Sequence, residues 1–114
     1  MNYLIVDDDS RFRQIVCDVI LRDGDKVLEL SDGADVVSAY TEFSPDWVIM
    51  DIKMKEVDGL VATRDLKSKY PSSKVLILTN YCDKWFRRKA VEVGASAFLP
   101  KENLHEALDI IRVE

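Results

Sequence analysis

The fold class this sequence predicts is α/β: a parallel sheet with helices on both faces. Three observations point to it. Short apolar runs alternate with stretches of helical periodicity along the chain. The runs are rich in β-branched residues and leucine, the composition of strands buried on both faces. Four of them stop on a reactive polar residue (Asp7/Asp8, Asp51, Thr79 and Lys101), and open parallel sheets bind ligands beyond the carboxyl ends of their strands.

The elements follow in order. Asn2–Val6 is a strand that runs into Asp7, Asp8 and Asp9. In Ser10–Arg22, Phe12, Ile15, Val16, Val19 and Ile20 recur at helical spacing, with Asp9 or Ser10 as N-cap. Asp23-Gly24-Asp25 is a turn, Lys26–Leu30 alternates like a strand, and Ser31-Asp32-Gly33 breaks it. Ala34–Phe43 is helical until Ser44-Pro45-Asp46. Trp47–Met50 is a doubly buried strand closing on Asp51, followed by the loop Lys53–Gly59. Leu60–Lys69 is a helix stopped by Tyr70-Pro71, and Lys74–Leu78 is an apolar strand ending at Thr79. Asp83–Val93 is a helix with Gly94 at its C-terminal cap. Ala97–Leu99 is a short strand before Pro100-Lys101, and Asn103–Val113 is a last helix with Leu104, Ala107, Leu108 and Ile111 inward.

At 114 residues the chain reads as one domain over 1–114, without repeats, linkers or low-complexity segments. A net charge of −5 argues against direct nucleic-acid binding and suits a protein that holds cations or meets basic surfaces. No apolar run approaches the ~20 residues of a membrane helix, and MNYLIVDDD has neither the basic region nor the cleavage site of a signal peptide. Cys17 and Cys82 lack metal-ligand spacing and read as free thiols, so the expected location is the cytoplasm.

The cluster Asp7–Asp9 poses the chemical question, because neighbouring carboxylates repel unless something positive lies nearby. Taken with Asp51, Thr79 and Lys101, it outweighs the simpler reading of a solvated loop, although Asp9 itself reads as a helix cap. Over essentially its whole length the chain resembles the receiver domains of two-component response regulators. LIVDDDSRFRQIV carries the first strand, acidic pair and first helix; VIMDIKM carries the phosphoacceptor strand. VDGL opens the third helix, LILTN is the switch strand, and GASAFLPKE is the lysine segment. GASAFLPKENL is most similar to the subfamily whose members often carry a C-terminal helix-turn-helix domain.

That resemblance implies a flavodoxin-like three-layer fold with strand order 2-1-3-4-5, and a signalling switch rather than an enzyme. It implies Asp51 as the nucleophile that forms an aspartyl-phosphate. Asp8 and Asp51 would hold Mg²⁺, with Asp7 acting through a water and Lys53 through its backbone carbonyl. Lys101 and Thr79 would contact phosphoryl oxygens, and Thr79 and Phe98 would be the switch pair. The phosphoryl donor would be a histidine kinase or a phosphotransfer protein, and a homodimer would form through the fourth helix, fifth strand and fifth helix. Three positions depart from the family pattern: Lys55 stands where proline is frequent, Asn80 where a small residue is usual, and Phe98 where tyrosine is common.

Trp85, with Arg88 and Lys89 alongside it on the Asp83–Val93 helix, reads as an aromatic anchor with basic neighbours on a partner surface. Simple packing over the helix edge explains Trp85 equally well. His105 reads as a surface residue. Three other functions compete. A phosphorylation-independent interaction module rests on Lys55 and Asn80. A flavin-binding protein of the same fold would need a Ser/Thr/Gly-rich loop where this chain has Asp-Asp-Asp, and an aspartate-nucleophile phosphatase would need Asp-x-Asp where it has Asp51-Ile52-Lys53.

Overall fold

The computed structural model describes residues 1–112. Val113, the last residue of the expected final helix, lies outside the described residues. Five parallel strands form one sheet in the order β2-β1-β3-β4-β5: β1 Asn2–Val6, β2 Lys26–Leu30, β3 Trp47–Met50, β4 Val75–Thr79 and β5 Ala97–Pro100. The helices are α1 Ser10–Ile20, α2 Val36–Phe43, α3 Gly59–Lys69, α4 Lys84–Glu92 and α5 Ala107–Ile111.

Alternate strand residues face opposite layers. Tyr3, Ile5, Trp47, Ile49, Leu76 and Leu78 pack with Val16 and Ile20 of α1 and Ala107 and Ile111 of α5. Leu4, Val6, Val48, Met50 and Ile77 pack with Val36 of α2, Ala62 and Leu66 of α3, and Ala90 of α4. Every residue of β3 and β4 is buried, which explains why both read as unbroken apolar runs. Among the described residues no helix is long and apolar enough to cross a membrane.

The structure corrects several details. α1 buries Val16, Cys17 and Ile20, while Ile15 and Val19 are exposed, because the sheet-facing stripe is narrower than the apolar one. Its N-cap is Asp9, whose carboxylate accepts the N–H groups of Arg11 and Phe12. The second helical stretch starts as a 3-10 turn, Gly33–Asp35. The last begins as a 3-10 segment, Lys101–Glu106, where Asn103 leaves helical geometry, so α5 proper starts at Ala107. Leu104 and Ile111 are buried and Leu108 is half-buried against the same core. Gly94 lies just beyond the cap of α4 at φ +92°, with its N–H on Val91 O and that of Ala95 on Ala90 O, a Schellman ending.

Candidate functional site

The sheet ladder runs one residue past β1 and β3. The Asp7 N–H donates to Leu30 O (3.0 Å) and the Asp51 N–H to Val6 O (2.9 Å). Two carboxylates are thereby held on neighbouring strands at the carboxyl edge. Lys101, the first residue after β5, reaches back past β4, placing Nζ 2.8 Å from Asp7 Oδ2 and 3.0 Å from Asp51 Oδ2. The Phe12 ring lies 4.4 Å from the same ammonium, a cation–π contact at the wall of the cluster. Asp7 Oδ1 accepts the Asp9 N–H (2.9 Å), and Asp51 Oδ1 accepts the Ile52 N–H (2.7 Å).

Asp8 completes the group. Asp7, Asp8 and Asp51 each offer a carboxylate oxygen, and these oxygens lie within 4.8 Å of one another. Asp7 and Asp51 are buried, whereas Asp8 is exposed. Burial pushes the Asp7 carboxyl above its ordinary value of 3.8; Lys101 and the Asp9 N–H oppose that rise without cancelling it, and Asp51 adds to it. For Lys101, burial lowers the ammonium pKa, but its bonds and attraction to Asp7 and Asp51 outweigh burial and raise it above 10.5. The two shifts act in opposite directions. Lys101 contributes stability that is full below 10.5 and is lost as pH rises through its raised value, whereas charging Asp7 removes stability as pH rises from 3.8 through its raised value.

Three carboxylates facing one ammonium leave the cluster short of positive charge. Hard oxygen donors with one solvent-facing member suit a small divalent cation that keeps part of its water shell, so the residues fit Mg²⁺.

Asp7, Asp8, Asp51 and Lys101 are therefore brought together, while the remaining candidates lie around them. Thr79 is fully buried at the end of β4, its hydroxyl accepting the Tyr81 N–H (3.2 Å). Lys53 is exposed, with Nζ 5.4 Å from the Tyr81 ring centre and 5.3 Å from that of Phe86. Phe98 is half-buried on β5 beneath the Arg87 guanidinium, at 4.8 Å. Trp85 is 56% exposed, edge-on to Phe86 at 5.0 Å with Lys89 Nζ 5.6 Å from its ring. It faces α3 across a cleft, and Arg88 is exposed beside it. His105 is exposed.

Two positioning residues escape a sequence reading. Asp32, which looked like part of a strand break, accepts the N–H groups of Ala34, Glu56 and Val57 at 2.8–3.0 Å and ties down the loop after Asp51. Gly59 packs its Cα against the Asp51 backbone. Asp32-Gly33 and Asp58-Gly59 are weak signals, since such pairs also mark ordinary turns.

The response regulator receiver domain family model matches residues 3–112. The chain is 36% identical over 107 residues to the transcriptional regulatory protein DegU of Brevibacillus brevis, covering 92% of this chain and 45% of DegU. It is 33% identical over 99 residues to the chemotaxis protein CheY of Bacillus subtilis, covering 86% and 82% of the two chains. Thus it spans less than half of DegU and most of CheY. Among solved structures, a LuxR-family two-component response regulator from Aurantimonas superposes with a TM-score of 0.85 at 29% identity, over 96% of this chain and 84% of that one. With the five strands in order 2-1-3-4-5 and a family match running through β1 to α5, the protein belongs to the receiver domains of two-component response regulators.

Proposed function

We propose that this receiver is an Mg²⁺-dependent phosphoacceptor switch charged by a histidine kinase or a phosphotransfer protein in the cytoplasm, with 1–114 acting as one domain. The observation that carries this reading is the Lys101 ammonium held between Asp7 and Asp51 while Asp8 stays open to solvent. An Asp51 oxygen attacks the phosphorus of a phosphohistidine; the P–O bond forms as the P–N bond breaks and the imidazole leaves with its electron pair. Lys101 is close enough to Asp51 to neutralise a phosphoryl oxygen there, so the reaction is driven by positioning and charge compensation. Asp8 and Asp51 would hold Mg²⁺ directly, Asp7 through water and Lys53 through its carbonyl; the bound ion supplies further charge neutralisation.

In the switch, the Thr79 hydroxyl leaves the Tyr81 N–H and donates to the phosphoryl group, and Phe98 shifts toward the space it vacates. That repacks α4 and the face made by α4, β5 and α5, through which a homodimer would form. The chain acts as a switch that promotes its own phosphorylation, not as an enzyme on other substrates.

Incubation with a phosphoramidate and Mg²⁺ is expected to add one phosphoryl mass to the protein and none to Asp51→Asn. Amide resonances of Tyr81, of α4 and of Phe98 are expected to shift on phosphorylation. Labelling of Asp51→Asn as strong as that of the native chain would overturn the assignment. An unlabelled native protein would favour the phosphorylation-independent module suggested by Lys55 and Asn80.

The metal assignment has its own test. Mg²⁺ binds the assembled carboxylates and not the scattered ones of the unfolded chain, so it is expected to raise Tm with concentration. Asp8→Asn removes one negative charge from an under-compensated cluster and one ligand from the ion. It is expected to stabilise the metal-free protein by up to about 1 kcal/mol, the scale of exposed charge pairs, and to erase most of the Mg²⁺ response. Asp9→Asn keeps a competent cap and is expected to keep the response. Thermal melts of the three proteins with and without Mg²⁺ decide this; an undiminished response in Asp8→Asn would place the metal elsewhere.

A further inference from the structure

Trp85 opens a different part of the surface from the α4, β5 and α5 face. Its ring lines a cleft of about 210 Å³ between α3 and α4, with Leu60 and Val61 on one side and Val93 on the other. Arg64 and Lys89 stand at the cleft, and so does Asp58, the N-cap of α3. Each cation has one exposed acidic neighbour, Asp65 at 3.3 Å and Glu92 at 3.0 Å, in pairs of the weak exposed kind. The cleft is smaller than the ~300 Å³ at which small-molecule pockets begin, and it suits a single bulky side chain of a partner.

The charge distribution says what kind of partner. α3 carries Arg64, Lys67 and Lys69 against Asp65, and α4 carries Lys84, Arg87, Arg88 and Lys89 against Glu92. These two helices hold a net +5 in a chain whose net charge is −5, so the rest of the molecule is strongly acidic. The N-cap carboxylates Asp58 and Asp83 are turned onto the N–H groups of Val61 and Phe86. An exposed tryptophan in an apolar notch, flanked by Arg64 and Lys89 on two helices of net positive charge, is the counterpart of an acidic segment with an apolar anchor.

We infer that the α3–α4 cleft is a docking site for an acidic amphipathic helix of a partner protein, which inserts one apolar side chain beside Trp85 and sets carboxylates against Arg64, Arg88 and Lys89. A nucleic acid fits less well. Its phosphates would gain nothing from Leu60, Val61 and Val93, and the acidic remainder of the chain would repel a long polyanion. The inference is drawn from the α3–α4 cleft and not from the Asp51 chemistry, so its failure would leave that reading untouched.

The probe is a synthetic Glu-rich peptide of about 15 residues with Leu at i, i+3 and i+4 spacing, tested on the whole chain. Trp47 is only 6% exposed, so a blue shift in tryptophan emission on titration reports Trp85. Anisotropy of the labelled peptide gives its affinity for each variant. A blue shift is expected, with roughly tenfold weaker binding by Trp85→Ala, and at least that loss for Arg88→Glu combined with Lys89→Glu. A scrambled peptide of the same composition is expected to bind about tenfold more weakly as well. Urea unfolding midpoints matching that of the native chain show that the variants are folded. No shift with the patterned peptide, equal binding of the scrambled one, equal binding by Trp85→Ala, or displacement of the peptide by a DNA duplex would each overturn the proposal.

Discussion

Gly59→Ala is expected to destabilise the protein by about 3 kcal/mol or more, at the upper end of overpacking effects, and to impair phosphorylation at the same time. A Cβ at Gly59 would stand 1.8 Å from Asp51 O, 2.8 Å from Asp51 C and 2.9 Å from Met50 Cγ. Two of these obstacles are backbone atoms of the proposed nucleophile, and the Gly59 N–H donates to Ile52 O (2.7 Å), which pins the approach. Gly59 begins α3, where alanine is intrinsically favoured by up to about 1 kcal/mol, so any loss must come from the clash. Gly24→Ala is the control. Its Cβ would meet nothing within 4 Å, and its φ of +88° costs about 1–2 kcal/mol of left-handed strain and nothing at the site. Urea unfolding and phosphoramidate labelling of both variants separate the effects. A Gly59→Ala protein that is as stable as the native one and is labelled at the native rate would show that α3 can move away from Asp51 without consequence.

Lys101→Met is expected to cost about 3 kcal/mol at neutral pH, the low end for breaking a buried pair, because the cluster keeps some contact with solvent. The side chain of Lys101 is 12% exposed, and those of Asp7 and Asp51 are 4% and 7% exposed. Methionine keeps the stem and its packing but leaves both carboxylates without their counter-ion. The sign with pH follows from Asp7, whose pKa burial already raises. Without Lys101 its charged form is disfavoured further, so the variant is expected to recover stability relative to native as pH falls from neutral through the raised Asp7 value. Asp7→Asn in the same background should recover part of the loss at neutral pH, and Mg²⁺ should do so where the assignment above holds. Urea melts across this pH range provide the check. Equal stability of native and Lys101→Met proteins at neutral pH would mean that water, not Lys101, compensates the cluster.

How much of this was legible beforehand differs from element to element. Trp47–Met50 and the run ending at Thr79 were legible as strands because both faces are covered, which leaves unbroken apolar runs too short for a buried helix and bounded by turn residues. α1 was legible as a helix but not in its inward face. Ile15 and Val19 are as apolar as Val16, and burial depends on which side the sheet lies. The final helix was misplaced at its start because nothing local forbids a regular helix from Asn103; the 3-10 segment forms where Lys101 is already tied to Asp7 and Asp51. Trp85 was legible as an exposed aromatic beside cations, but not as a wall of the α3–α4 cleft. That neighbour is set by how two helices pack, not by the spacing within one.

The sequence by itself determined the alternation of strands and helices, the polar residues at the strand ends, and the identity of the side chains that could do the chemistry. These are local properties, carried by periodicity and residue type. Only the tertiary structure decided that the Lys101 ammonium bonds to two carboxylates from different strands, that Gly59 must leave the Asp51 carbonyl room, and that Asp32 holds the intervening loop. Those contacts join residues 24 to 94 positions apart, or backbone to backbone at less than a methyl's width. They exist because the twist and order of the sheet set distances that no pattern along the chain encodes.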